Sequence, residues 1–220
     1  MSAILPMPAA PPAEEQFDDA AQQREAATFG MWAFLATEVL FFGVLFAGYT
    51  VCRVTYPAAF AAASRSTDML LGTIETAVLL TSSCAVALAL RDLQLGGRRV
   101  AFWLLLLTAA LGVSFLVLHG FEYYAEYQEG LVPSIRYTVV GPRAQHMELF
   151  YCLYYFITGF HSLHVTIGVA VLITMAVRTR RGAFSAAYST PVELTALYWH
   201  LVDIVWIFVF PLVYLVGRSG

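Results

Sequence analysis

Residues 147–177 read MELFYCLYYFITGFHSLHVTIGVAVLITMAV. Across these 31 residues the one formal charge is Glu148, next to the start. A helix needs about 20 predominantly apolar residues to cross the hydrocarbon core of a bilayer. This run is long enough to cross as one helix. At 1.5 Å per residue it rises roughly 46 Å, more than the ~30 Å core, so it must tilt or protrude.

Four more runs of this kind flank it: Phe29–Arg53, Met69–Arg91, Val100–Phe121 and Leu194–Val216. Helix breakers separate them: Pro57, Gly96-Gly97, Pro133, Gly141-Pro142, Gly182 and Pro191. The whole chain of 220 residues is 60% hydrophobic and 12% charged, where about 25% charged is usual for a soluble domain. So few charges do not cover the surface of a water-soluble globule. All 12 basic residues are Arg, and they form no basic face of the kind a nucleic-acid binder needs. The fold class expected is an all-α integral membrane protein, a bundle of five transmembrane helices in one domain over residues 29–220. Residues 1–28 read as a mobile tail, Pro- and Ala-rich at first, then acidic at Glu14, Glu15, Asp18 and Asp19, with a short helix near 18–27. No basic segment precedes an apolar run there, so it does not read as a cleaved signal peptide. The linker 122–146 is the longest and opens on Glu122, Glu126 and Glu129.

Arginine placement sets the expected orientation. With five spans, the tail and linkers 91–99 and 178–193 share one side. They hold Arg24, Arg91, Arg98, Arg99, Arg178, Arg180 and Arg181. The opposite side holds Arg53, Arg65, Arg136, Arg143 and Arg218. The first group lies in short loops against span ends, which is the arrangement that sets topology. The N-terminus is therefore placed in the cytoplasm and the C-terminus outside.

A charge at the bilayer centre costs about 2.5–3.5 kcal/mol on insertion scales, so ionisable groups within spans face the protein interior and draw functional attention. Glu38 lies near the middle of the first span, and Glu75 lies in the second, about two turns from its outer end. His161 and His164, three apart on one helix face, lie at the centre of the fourth. In the fifth, His200 precedes Asp203 by one turn. Counting from the span ends puts Glu38, His164 and Asp203 at similar depth, which predicts one polar cluster at mid-membrane. A carboxylate beside an imidazole suits the holding or relay of a proton. The same groups also suit a structural hydrogen-bond network between helices.

Metal or haem ligation is less well supported. No His-to-His spacing of several turns repeats across two helices, as a two-haem cytochrome requires. Cys52, Cys84 and Cys152 are widely spaced, odd in number and not close to the histidines in sequence. They read as small buried apolar residues. The small residues Gly159, Ser162, Gly168 and Ala170 permit close helix approach along the fourth span. Dense aromatics, including Phe41-Phe42, Tyr123-Tyr124, Tyr154-Tyr155 and Tyr198-Trp199, suit interfacial belts and packing.

Four segments together resemble subunit III of the haem-copper respiratory oxidases. They are Thr37-Glu38-Val39-Leu40-Phe41-Phe42, Phe121-Glu122-Tyr123-Tyr124, Gly159-Phe160-His161-Ser162-Leu163-His164-Val165, and the run from Tyr198 to Phe208 that contains Trp199, His200, Asp203 and Trp206. They occur in the family's order. The resemblance implies an all-helical accessory subunit with no redox centre, no metal and no catalytic residue of its own. It implies packing against subunit I, with subunit II nearby, in a bacterial inner membrane. The haems and copper belong to those partner subunits, whose complex passes electrons from cytochrome c or quinol to oxygen and pumps protons. The implied role is support: binding phospholipid, sustaining proton uptake and protecting the catalytic subunit. Glu38 matches the family's intramembrane carboxylate, and His161 and His164 match the paired histidines near it. The chain differs from the longest, seven-helix form in having the last five helices, and Ser162 stands where Gly is common. Two alternatives share parts of this pattern. One is the related accessory protein of nitric oxide reductase. The other is a small ion transporter or channel, which the lack of an internal repeat disfavours.

Overall fold

The computed structural model describes residues 16–215. Its helices are α1 (Ala20–Thr55), α2 (Pro57–Ser66), α3 (Met69–Gln94), α4 (Arg98–Glu129), α5 (Ala144–Arg180) and α6 (Thr190–Phe210). A two-residue ribbon, β1 (Leu131–Val132) with β2 (Arg136–Tyr137), lies between α4 and α5, and a π-helical turn, Pro211–Leu215, continues α6. Five of these helices are long and apolar enough to cross a membrane, as the sequence predicts.

The boundaries differ from the expected ones in a consistent direction. Helix α1 begins at Ala20, where the Asp19 carboxylate accepts from the Gln22 backbone N–H at 2.7 Å. Residues 20–28, expected in a mobile tail, therefore belong to the first helix. An N-cap starts a helix wherever orphan N–H groups find an acceptor, regardless of where hydrocarbon begins. Residues 1–15 of the expected tail lie outside the described residues. Helix α4 likewise runs past Phe121 to Glu129 and stops at Gly130, which takes φ 73°. Glu122 and Glu126 are thus buried helix residues, where a linker was expected.

Helices α3 and α4 form a tight antiparallel hairpin. Its turn runs through Gly96 at φ 87°, a left-handed conformation that glycine adopts without a Cβ penalty. The Asp68 carboxylate caps α3 by accepting from the N–H groups of Leu70 and Leu71. α5 packs on α4, and α6 lies against α3 and α5. This set holds most of the core, including Leu79, Val86, Leu105, Phe115, Tyr154, Val165 and Leu172. α1 leans on the bundle through a narrow seam of Leu35, Phe42 and Tyr49, spaced seven apart. Its other faces expose Trp32, Val39, Leu40, Val44 and Val51, which is stable in lipid and unstable in water.

At the end of α6, Pro211 has no N–H and its ring crowds the preceding turn, so the helix widens into the π turn. Two hydroxyls brace that turn. Tyr49 Oη donates to the Leu212 carbonyl and Ser64 Oγ to the Val213 carbonyl, each at 2.6 Å. The cysteines depart from expectation. Cys84 and Cys152 are exposed and Cys52 is half-buried. A membrane helix is apolar on its outer face too, so apolar context in sequence does not distinguish core from lipid.

Candidate functional site

Apart from His161, the polar groups expected in one cluster find their partners at three places.

The first joins α1 to α5. Glu38 sits on the same α1 face as Leu35 and Phe42, which directs it at the bundle. Its Oε2 lies 3.0 Å from His164 Nε2. His164 Nδ1 lies 2.7 Å from the Phe160 carbonyl oxygen. A carbonyl accepts and never donates, so Nδ1 carries a hydrogen. The Nε2–Glu38 contact then needs one further proton. Either a carboxylic acid donates to a neutral ring, or an imidazolium donates to a carboxylate. Glu38 and His164 thus share a single proton between two helices. The Phe42 ring packs edge-on against the imidazole at 5.4 Å, and Tyr198 Oη donates to the His164 carbonyl at 3.0 Å. Both side chains keep some exposure, 17% and 15%, so the pair is shielded without being sealed.

His161, expected beside His164 at this pair, faces elsewhere. It is fully buried between Phe115 of α4 and Trp206 of α6, with ring centroids 5.4 and 5.0 Å away. Residues three apart on a helix diverge by about 60°, enough to send one to α1 and the other to the interior.

The second place is the α3–α6 interface. His200 Nδ1 lies 2.7 Å from Ser83 Oγ. Asp203 is buried one turn further on, with the same Ser83 hydroxyl beside it. Asp203 and His200 thus find their polar partner on α3, whereas Glu38 finds its partner on α5, although depth counting groups Asp203 with Glu38. Equal depth fixes a level in the bundle and leaves the azimuth open. Next to His200, Trp199 donates from Nε1 to Ser82 Oγ at 2.9 Å. The Trp199 indole fills the space left by two glycines. A Cβ on Gly112 would sit 2.6 Å from it, and one on Gly168 would sit 2.7 Å from it. Trp206 Nε1 donates to Thr76 Oγ1 at 3.1 Å. Both motif tryptophans thus join α6 to α3.

The third place lies between α3 and α4, toward the end that carries the β ribbon. Glu75 is fully buried, and His119 and Glu122, one turn apart on α4, face it. His119 Nδ1 is 3.5 Å from Glu75 Oε1 and 3.3 Å from Glu122 Oε2. Tyr214 Oη donates to Glu122 Oε2 at 2.8 Å. Further along α4, Tyr155 Oη donates to Glu126 Oε2 at 2.6 Å. One donor atom from each of Glu75, His119 and Glu122 falls within 4.8 Å of the others, the spacing of a metal-ligand set.

His119, Glu126 and Ser83 were not among the expected site residues. A signal for His119 was present, since it precedes Glu122 by three. Helices α3 and α4 run antiparallel, which puts Glu75, early in one, level with residues late in the other.

The profile of the cytochrome c oxidase subunit III family matches residues 15–218. Cytochrome c oxidase subunit 3 of Thermostichus vulcanus is 31% identical over 91% of this chain and 92% of its own length. Cytochrome bo(3) ubiquinol oxidase subunit 3 of Pseudomonas aeruginosa is 31% identical, over 86% of this chain and 84% of its own length. Cytochrome c oxidase subunit 3 of Synechocystis sp. is 33% identical, over 85% and 74%. A near full-length profile match and relatives of this identity lead to one conclusion: the chain belongs to the cytochrome c oxidase subunit III family, the third subunit of the haem-copper respiratory oxidases.

Proposed function

We propose that the chain is the accessory subunit III of a proton-pumping terminal oxidase in a bacterial inner membrane, with its N-terminus in the cytoplasm. In this reading it packs against subunit I, near subunit II, and leaves haem and copper chemistry to them. Cytochrome c is the donor favoured, and residues 29–220 form the functional unit. The Glu38–His164 contact carries the proposal: a proton-sharing pair, held at 3.0 Å between two helices and partly open at the bundle surface. In this role Glu38 and His164 hold and release a proton beside the catalytic subunit, which sustains its proton uptake during turnover. His161, His200, Asp203, Glu75, Glu122, Trp199 and Trp206 keep the helices in the register that positions the pair. Phospholipid binding is supported by an apolar groove of about 580 Å³ between α1 and α6, lined by Trp32, Leu35, Val39, Leu197, Leu201 and Ile204 among others.

The test is Glu38→Gln in the intact complex. The variant is expected to assemble with a full set of subunits and normal haem content. Its turnover should decline faster than wild type during sustained oxygen consumption. A variant that pumps and survives turnover like wild type would reduce Glu38 to a packing residue and overturn the proton role. Subunits recovered through this chain separate the rivals: an oxidase core supports the proposal, a nitric oxide reductase core or none refutes it.

A further inference from the structure

We propose that Glu75, His119 and Glu122 bind one divalent transition-metal ion of the zinc type. This site is separate from the Glu38–His164 pair and does not depend on the proton role proposed for it.

Three observations converge. The first is spacing. Tetrahedral zinc holds nitrogen and oxygen ligands at about 2.0–2.2 Å, which separates neighbouring ligand atoms by about 3.4 Å. The distances from His119 Nδ1 to Glu75 Oε1 and Glu122 Oε2, 3.5 and 3.3 Å, bracket that value. Both exceed the usual length of an N–H···O hydrogen bond, about 2.7–3.2 Å.

The second is the absence of other partners. Glu75 is 0% and His119 2% exposed. Both Glu75 oxygens, both His119 nitrogens and Glu122 Oε1 have no hydrogen bond among the described residues. Buried polar atoms are rarely left so, and a whole group of them aimed at one point signals a missing charge. Two carboxylates with a neutral imidazole carry two negative charges, which a divalent cation cancels.

The third is the frame. The ligands stand on two long helices, and the α3–α4 hairpin is already tied at its other end by the Gly96-Gly97 turn. Tyr214 orients Glu122 by donating to it, the kind of outer support that metal ligands carry. Phe115 lies parallel to the His119 ring at 5.6 Å and Trp206 stands edge-on to it at the same distance. One nitrogen and two carboxylate donors suit zinc and its first-row neighbours. Calcium and magnesium prefer six or more oxygens. The ion would fasten the open end of the hairpin.

The experiment uses the untagged full chain in detergent, stripped with chelator and dialysed against Zn²⁺. Wild type is expected to retain one zinc per chain and to melt at a higher temperature than the stripped protein, because a ligand for the native state stabilises it. Glu75→Gln and His119→Gln are expected to lose that ion, and Tyr214→Phe to bind it about 10-fold more weakly. Co²⁺ in place of Zn²⁺ should give the visible bands of a low-coordinate site without a thiolate charge-transfer band. That control matters because Cys84 and Cys152 are exposed. The proposal is overturned if wild type retains no more zinc than the E75Q/H119Q/E122Q triple variant, or if bound cobalt shows thiolate character. Should the variants not fold, the wild-type melting shift and cobalt spectrum decide alone, and failure of either overturns it.

Discussion

His164 is held by two helices at once: Nδ1 bonds the Phe160 carbonyl on its own helix, and Nε2 meets Glu38 of α1 at 3.0 Å. The intrahelical bond fixes the ring and its tautomer. Nε2 is therefore the nitrogen that faces Glu38, and the contact ties the imidazole to α1.

That linkage makes the two residues non-additive. In thermal melts of the purified chain, Glu38→Gln, His164→Gln and the double variant should reveal an interaction energy of about 0.5–3 kcal/mol. Simple additivity would mean that the contact carries no net energy.

Trp199 sets a second expectation. Gly168→Ala or Gly112→Ala drives a methyl into the indole, and such overpacking costs about 1–3 kcal/mol. Gly43→Ala meets nothing within 4 Å and lies mid-helix. There the reduced entropy of the unfolded chain should stabilise by about 0.5–1 kcal/mol. The three melting temperatures should fall on opposite sides of wild type.

Tyr155→Phe removes the donor to buried Glu126. An acceptor left unsatisfied in the interior costs about 1–3 kcal/mol. Chemical denaturation in mixed micelles reads this directly. Restoration by a compensating Glu126→Leu change would attribute the loss to the stranded carboxylate.

The proposed orientation has a direct check. Ile135, at the tip of the β ribbon, is 78% exposed. An Ile135→Cys variant on a background without the native cysteines should react with a membrane-impermeant maleimide added outside intact spheroplasts. Reaction only after lysis would reverse the assigned sidedness.

The five spans were legible because lipid demands long apolar runs, and such runs survive any detail of packing. Helix ends were less so. Ala20 to Thr28 is too polar to register as a span, yet Asp19 starts a helix there and nothing breaks it before Thr55. Within the site, Glu38 and His164 were legible as partners from depth and from the motifs. Asp203 was grouped with Glu38 by depth, which says nothing of which way round the helix a side chain points, and His161 was set beside His164 by a three-residue spacing that still leaves the two rings about 60° apart. His119 fell outside the search for a related reason. Its neighbour Glu122 lay in a stretch that read as a linker, and its other neighbour, Glu75, lay on a different span.

The order of synthesis gives the α1 seam a further meaning. α1 emerges first, yet the helices it rests on, α5 and α6, emerge last. Glu38 precedes its partner His164 by 126 residues. At roughly 5–20 residues per second, this leaves Glu38 without its histidine for about 6–25 s. During that interval a lone carboxyl within a span must be shielded by its own protonation, by the insertion machinery or by another chain. The chain's first helix is thus a waiting guest of the membrane until its last helices arrive to claim it.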